Sequence, residues 1–167
     1  GGVYVPEITA AGIRHYEAPM HRRSLSDMLR SRSILRRVIR LENPDVVHAH
    51  ARIPAFLCGT LQPRMKFPFV TTAHWVFETR GALRYLTNWG ERTVAVSDDI
   101  KDYLIREYHL PPEHISVTIN GIDTEKFSPA VSGAGVIREF GLNPGRPIVS
   151  KASRMDADRA LVARQLI

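Results

Sequence analysis

Short apolar runs alternate with longer stretches of helical periodicity along this chain. Runs typical of β-strands lie at residues 13–16, 45–49, 69–73, 93–96 and 115–119. Between them the periodicity predicts helices at about residues 24–41, 54–61, 82–89 and 98–108. Strands that alternate with helices favour parallel βαβ units with helices on both faces of the sheet. The sequence therefore predicts an α/β fold with a doubly wound, mostly parallel sheet.

The pattern changes after residue 129. Residues 130–146 are rich in Ala, Ser, Gly, Asn and Pro around one short helical piece at residues 136–140, a composition typical of a linker. A further strand is predicted at residues 147–150, and a helix from residue 156 onward. We therefore expect a first domain over residues 1–129 that lacks its first strand, an interdomain linker over 130–146, and the truncated beginning of a second domain over 147–167.

The composition limits the class of protein. Of the 167 residues, 44% are apolar and 24% charged, which is typical of a globular chain and argues against disorder. No apolar run is long enough to span a bilayer, and the first residues lack the pattern of a secretory signal. The single cysteine, Cys58, excludes an internal disulfide and a cysteine-rich zinc site. These features favour a soluble protein of the cytoplasm.

Positive charge is concentrated in the first long predicted helix. The chain has 23 Lys and Arg against 17 Asp and Glu, and seven of the arginines lie between residues 21 and 41. Helical spacing predicts that Arg30, Arg37 and Arg40 point away from an apolar stripe, which consists of Leu25, Met28, Leu29, Leu35, Val38 and Ile39. These arginines form either a solvated surface or a surface for anionic lipid or an anionic acceptor. Nucleic acid is not favoured, because no stacking aromatic residues are interleaved with them.

Polar residues follow several predicted strands, where open α/β sheets bind their ligands. His48 and His50 share one strand face, a spacing that two metal ligands could use, but no third ligand lies at a familiar spacing. Hydrogen-bonded structural roles are therefore favoured for this pair. His74 could contact a sugar or carry a proton, or serve the structure alone. Ser97 is predicted to cap a helix rather than act as a nucleophile, because no Gly-x-Ser-x-Gly motif surrounds it.

Two arginines near the end of the chain favour an anion. Arg154 lies between a predicted strand end and a helix start, and Arg159 follows about one turn later. Guanidinium groups beside a helix N-terminus suit a phosphate or a diphosphate. The alternative is that both arginines are solvated charges of a loop.

The order of these motifs resembles that of the GT-B glycosyltransferases of family 4, the retaining group that uses nucleotide sugars. The matching stretches are residues 44–50, 70–74, 94–97, 117–123, 127–129 and 153–156. The resemblance implies one acceptor-side, Rossmann-like half of a two-domain enzyme, with only the start of the donor half. The family's glycine-rich loop after the first strand is absent apart from Gly1 and Gly2, and its late acidic donor-binding motif is missing.

Roles for individual residues also follow from this resemblance. The family histidine that matches His74 lies near the transferred sugar, and the arginine that matches Arg154 binds the donor diphosphate. Arg159 stands where the family usually has a lysine, which keeps the charge and changes its shape. The family needs no metal and has no clear enzyme nucleophile, so we assign neither a cofactor nor a catalytic nucleophile.

The sequence thus predicts a piece of a retaining glycosyltransferase that is inactive by itself. Its substrates would be a nucleoside diphosphate sugar and the hydroxyl of a glycan or lipid-linked acceptor. The predicted location is the cytoplasm, with possible contact at the inner face of the membrane. The alternative is a non-catalytic α/β module with a basic helix that binds anions or lipids.

Overall fold

The computed structural model describes residues 2–20, 24–76 and 87–150. The chain divides into two compact units, Gly1–Asn120 and Gly121–Ile167. The boundaries predicted at residues 129 and 146 stay predictions. The helix predicted from residue 156 lies outside the described residues.

The first unit is built on a sheet of four parallel strands. They lie side by side in the order in which the chain makes them: β1 (Val47–Ala49), β2 (Phe69–Ala73), β3 (Arg92–Ala95) and β4 (Ile115–Val117). All three pairings are parallel. The predicted α/β class with a parallel sheet is therefore confirmed.

In the described ranges, four α-helices and a 3-10 turn accompany this sheet, and the second unit adds one helix. The helices are α1 (Val5–Ala10), α2 (Leu25–Glu42), α3 (Arg52–Met65), α4 (Asp98–Tyr108) and, in the second unit, α5 (Ala134–Glu139); the 3-10 turn is Pro112–His114. The limits predicted for β2 and α4 are correct. Helix α3 is longer than predicted, because Pro54 is tolerated in a first turn and the helix continues to a left-handed cap at Lys66.

Local signals define the ends of α2 and α4. The Ser24 hydroxyl accepts a hydrogen bond from the Asp27 amide, which satisfies one free N–H of the first turn of α2. Asn43 closes the same helix in the left-handed conformation, at φ 42°. Helix α4 begins at the N-cap Ser97 and ends at left-handed His109.

Helices α3 and α4 cover the same face of the sheet. Alternate strand side chains point to one face, and the strand register aligns those of neighbouring strands. On the covered face, Ala49 and Phe69 pack with α3, and Ala73, Ala95 and Ile115 pack with α4. The opposite face carries the exposed side chains His48, Arg92 and Ser116. His48 in β1 therefore belongs to the face that α3 and α4 leave uncovered. His50 and His74, which directly follow β1 and β2, continue the same alternation of side chains.

Two predicted strands are wrong. Residues 13–16 pair with no strand in the described part of the chain; Arg14 and Tyr16 instead bind the Glu42 carboxylate at the end of α2, which holds this segment against a helix. Residues 147–150 form no strand, because no described segment pairs with them. They are exposed. Helix α1 was not predicted from the sequence.

The helix predicted at residues 82–89 is only partly described. Its first five residues lie outside the described ranges, and residues 87–89 form a loop. The Trp89 carbonyl accepts hydrogen bonds from the hydroxyls of Thr71 and Thr93, both at 2.7 Å. These bonds hold the loop against the sheet and explain why the chain is not helical there.

Candidate active site at the carboxyl ends of the strands

Three histidines meet at the carboxyl ends of β1 and β2. His48 is the second residue of β1, His50 directly follows that strand, and His74 directly follows β2. The strands are parallel and adjacent, so their carboxyl ends lie at the same edge of the sheet. Polar groups were expected to converge at this edge from the sequence, and the structure brings these three side chains together.

The three imidazoles form a connected group. The Nδ1 atom of His50 lies 3.1 Å from Nε2 of His74, and their ring centroids are 5.4 Å apart. The His48 ring lies 4.1 Å from the His50 ring, between centroids. The Nε2 atom of His48 lies 2.7 Å from the Thr72 hydroxyl oxygen. His48 thus has the hydrogen-bonded position that the sequence favoured, while His50 is tied directly to the candidate catalytic residue.

The surroundings of His50 favour its neutral form. Although the residue as a whole is exposed, its ring is partly shielded from water, and this partial desolvation lowers the pKa of His50. The neighbouring His48 and His74 lower it further, because a second positive charge there is unfavourable. A neutral imidazole retains one nitrogen lone pair as a hydrogen-bond acceptor. All three histidines are exposed, and so is Trp75, at 65% of its surface. A polar ligand could therefore reach this edge.

The histidines are not arranged as a metal site. In residues 2–20, 24–76 and 87–150, no three His, Cys, Asp or Glu side chains are grouped so that they could hold an ion. One ring nitrogen of His48 contacts Thr72, and one of His50 contacts His74. These contacts use one ring nitrogen of each histidine, and the expectation that no metal binds here stays a prediction.

Ser97, which also follows a strand of the sheet, has a separate role. The Ser97 hydroxyl accepts a hydrogen bond from the Ile100 amide at 3.3 Å, so it caps α4 as predicted. Arg154 and Arg159 lie outside the described residues, and their predicted donor-binding role stays a prediction. Thr72 was missed as the partner of His48. Its signal was weak: it lies two residues before His74, and only the strand register places it beside β1.

Helix α2 presents a basic face with leucines beside it. Arg30, Arg37 and Arg40 are exposed, as predicted, and Arg36 is exposed too. The predicted apolar stripe is wrong at its first turns, because Leu25 is 74% and Leu29 61% exposed. The row that faces α3 consists of the buried Ser31 and Ile39 with the half-buried Leu35 between them. Leu25 and Leu29 fall on another row of the helix, the one that continues through Arg36 and Arg40.

Comparison with known sequences identifies relatives of this chain. The model of Glycosyltransferase Family 4 matches residues 5–126. The alpha-maltose-1-phosphate synthase of Mycolicibacterium smegmatis is 32% identical over 139 residues, which cover 72% of this chain and 36% of that protein. The UDP-Gal:alpha-D-GlcNAc-diphosphoundecaprenol alpha-1,3-galactosyltransferase of Escherichia coli is 30% identical over 122 residues, 65% of this chain and 31% of that protein. The chain thus spans about a third of the length of these relatives.

Solved structures show the same fold. A glycosyltransferase from Rickettsia africae ESF-5 superposes with a TM-score of 0.67 at 22% identity, covering 94% of this chain and 44% of that one. A UDP-N-acetylglucosamine 2-epimerase from Rickettsia bellii gives a TM-score of 0.54 at 17% identity, with 86% of this chain and 43% of that one covered. These two similarities concern the fold alone, whereas the family model covers most of the sequence. The chain belongs to glycosyltransferase family 4.

Proposed function

We propose that the full-length protein transfers a sugar from a nucleoside diphosphate sugar to an acceptor hydroxyl, with retention of configuration at the transferred carbon. The carrying observation is the exposed His50–His74 pair at the carboxyl ends of two parallel strands, in a chain of this family. The name of the E. coli relative includes a UDP-sugar donor and a diphosphoundecaprenol acceptor, which supports these two substrate classes.

In this proposal His74 binds the sugar that is transferred. Its Nε2 atom contacts His50, and its Nδ1 atom has no hydrogen-bond partner among the described residues. Nδ1 is therefore available to a sugar hydroxyl. Arg154 and Arg159 bind the diphosphate, where positive charge stabilises the negative charge that develops on the leaving group. The departing phosphate takes the proton of the acceptor hydroxyl, so the reaction uses neither an enzyme nucleophile nor a metal.

Kinetics of the full-length protein test this proposal. A panel of UDP- and GDP-sugars is assayed with wild type and His74→Ala, and we expect kcat/KM to fall about 100-fold in the variant with little change in Tm. His114→Ala is the matched control. His114 is also an exposed histidine, but it lies near the start of β4 and far from His74 in the sequence. Wild type that transfers no sugar from any donor in the panel, or His74→Ala with wild-type kinetics, would contradict the proposal.

The role of the donor-binding arginines has its own experiment. Arg154→Ala in the full-length protein should weaken the binding of the free nucleoside diphosphate by about tenfold or more, because a bidentate charged contact is lost. Calorimetry measures this affinity. An unchanged dissociation constant would remove Arg154 from the donor site.

We also propose that the basic face of α2 contacts the anionic inner surface of a membrane, which places the protein at the cytoplasmic side. Support comes from Arg30, Arg36, Arg37 and Arg40, which are exposed beside Leu25 and Leu29. Arginines attract anionic headgroups, and leucines on the same side can enter the interface. In the described ranges, no helix has the length and apolar content that crossing a bilayer would require.

Vesicle binding tests the membrane proposal. Replacing Arg30, Arg37 and Arg40 with Gln should weaken partitioning onto anionic vesicles about 100-fold, since each arginine contributes about 1 kcal/mol. The control replaces three exposed arginines elsewhere, Arg64, Arg138 and Arg146, and changes the net charge equally. Equal loss in both variants would show that net charge alone attracts the protein. Vesicle binding by a full-length protein that transfers no sugar would instead favour the non-catalytic module.

A further inference from the structure

The hydrogen bond between His50 and His74 has a single hydrogen, which belongs to one of the two rings. The two facing atoms are Nδ1 of His50 and Nε2 of His74, at 3.1 Å. A neutral imidazole has one N–H and one lone pair, so only one of these two nitrogens carries the hydrogen between them. The choice determines what the outer nitrogen of His74, Nδ1, offers to a ligand. If Nε2 carries the hydrogen, Nδ1 is an acceptor; if His50 carries it, Nδ1 of His74 must be a donor.

The chemistry of imidazole distinguishes the two arrangements. With the hydrogen on Nε2 of His74, His50 has its own hydrogen on Nε2 as well, and both rings take the tautomer that free histidine prefers. The reverse arrangement needs the less stable Nδ1–H tautomer in both rings at once. Burial and the two histidine neighbours lower the pKa of His50, which keeps that ring neutral and leaves it one lone pair.

We propose that His50 is a positioning residue for His74: it accepts the Nε2 hydrogen of His74 and so fixes the Nδ1 lone pair of His74 as a hydrogen-bond acceptor for a substrate hydroxyl. His74 then holds a sugar hydroxyl through that group's hydrogen and is not a proton donor. This role rests on the proposed function of the site. The His50 ring is itself held in place by the His48 ring, whose Nε2 contacts the Thr72 hydroxyl.

Nitrogen NMR measures the tautomer directly. In the 15N-labelled 167-residue chain, long-range 1H–15N correlations show which ring nitrogen of His74 is protonated. We expect Nε2 to be protonated and Nδ1 unprotonated in wild type at neutral pH. In His50→Ala, His74 should instead exchange between both tautomers. The proposal is overturned if wild-type His74 carries its hydrogen on Nδ1, or if His50→Ala leaves the tautomer populations unchanged.

A conservative variant separates positioning from a structural role. The side-chain oxygen of asparagine occupies the place of Nδ1 in histidine, so His50→Asn keeps an acceptor for His74. This variant should restore the wild-type tautomer that His50→Ala loses, whereas His114→Ala should leave the His74 signals unchanged. Failure of His50→Asn to restore the tautomer would contradict the proposal. The wild-type measurement decides the matter even if His50→Ala fails to fold.

Activity gives a second readout in the full-length protein. His50→Ala should lower kcat about 10- to 100-fold, because a misplaced catalytic group costs rate, and His50→Asn should recover part of that loss. Equal kcat in wild type and His50→Ala would overturn the proposal. Absence of transfer in wild type would refute the proposed function, while the tautomer of His74 would still test the role of His50.

Discussion

His48 and His50 are separated by one residue, yet their rings form different bonds. His48 contacts the Thr72 hydroxyl, and His50 contacts His74. Both partners belong to the next strand or its end, so the contacts depend on the pairing of Ala49 with Thr71. The alternating sequence predicted correctly that the two histidines share a face. It could not predict their partners, because no residue in β1 specifies the register of a strand that follows 22 residues later, as in the pairing of residues 47 and 69.

Cys58 shows how burial changes the reactivity of a single side chain. It lies in α3 at 3% exposure, and burial raises the pKa of its thiol from 9.0 to about 11. The thiolate is the reactive form, so at pH 8 the folded protein contains about 100-fold less of it than the unfolded chain. We expect iodoacetamide to modify Cys58 at least about 100-fold more slowly in the folded protein than in denaturant.

Mass spectrometry at timed intervals gives both rates. The slow reaction should accelerate as the pH rises toward 11, because the thiolate fraction increases. The same change of pH removes stability, since the unfolded thiol ionises from about pH 9 while the folded thiol does not. Comparable rates in folded and denatured protein would show that Cys58 is accessible to the reagent.

At the scale of elements, the ends of a helix were predictable where the residues next to those ends encode them. Helix α4 was predicted with its correct bounds because Ser97 caps it and the pair Pro111 and Pro112 follows it. The segment at residues 13–16 was not predictable. Its apolar run suggests a strand, but its conformation depends on the contact with Glu42, which is 28 residues from Arg14 in the chain. The periodicity of α2 likewise predicted the basic face correctly. The apolar stripe was wrong in its first turns, because the position of α3 determines which row of side chains is buried.

The loop before β3 lies so close to β2 that Gly90 has no space for a side chain. Its φ is +73°, and an added Cβ would lie 2.6 Å from the Phe69 carbonyl oxygen. The adjacent Glu91 amide donates to that same oxygen at 2.8 Å, so the backbone cannot shift without loss of this bond. Gly90→Ala should therefore lower the free energy of unfolding by about 2–4 kcal/mol, from backbone strain and displaced strand pairing.

Gly12→Ala is the matched control for this variant. Gly12 has a similar φ of +77° but open space around an added Cβ, so it isolates the cost of the left-handed backbone. Denaturant unfolding compares the two variants. A Gly90→Ala loss no greater than that of Gly12→Ala would mean that the contact with Phe69 is relieved at little cost.

At the scale of the whole molecule, the buried residues belong to one of the two units. In the described ranges every buried side chain lies in Gly1–Asn120, and none lies in residues 121–150. Segments without buried contacts open more readily than packed helices. Trypsin should therefore cut after Lys126 and Arg138 at least about ten times faster than after Lys101 and Arg106 of α4. Mass spectrometry of early fragments measures the difference, and early cleavage within α4 would contradict it.

The fold by itself does not decide the chemistry. An epimerase and a glycosyltransferase both superpose on this chain, at TM-scores of 0.54 and 0.67. Similar sheets support different reactions through the residues at their carboxyl ends. The motifs at those ends, including His74, were readable in the sequence and indicated the family, whereas the hydrogen bond that orients His74 emerged only from the folded chain.

The strand order also bears on how the protein is made. In each neighbouring pair the register partners are 22 residues apart, as in residues 47 and 69, 70 and 92, and 93 and 115. During synthesis, each new strand therefore finds its partner in the segment that left the ribosome just before it. Among these four described strands, β1 to β3 each gain the next strand after a short segment, so an unpaired edge is exposed for only a short stretch of translation. The sheet can grow in the direction of the chain, one strand after another.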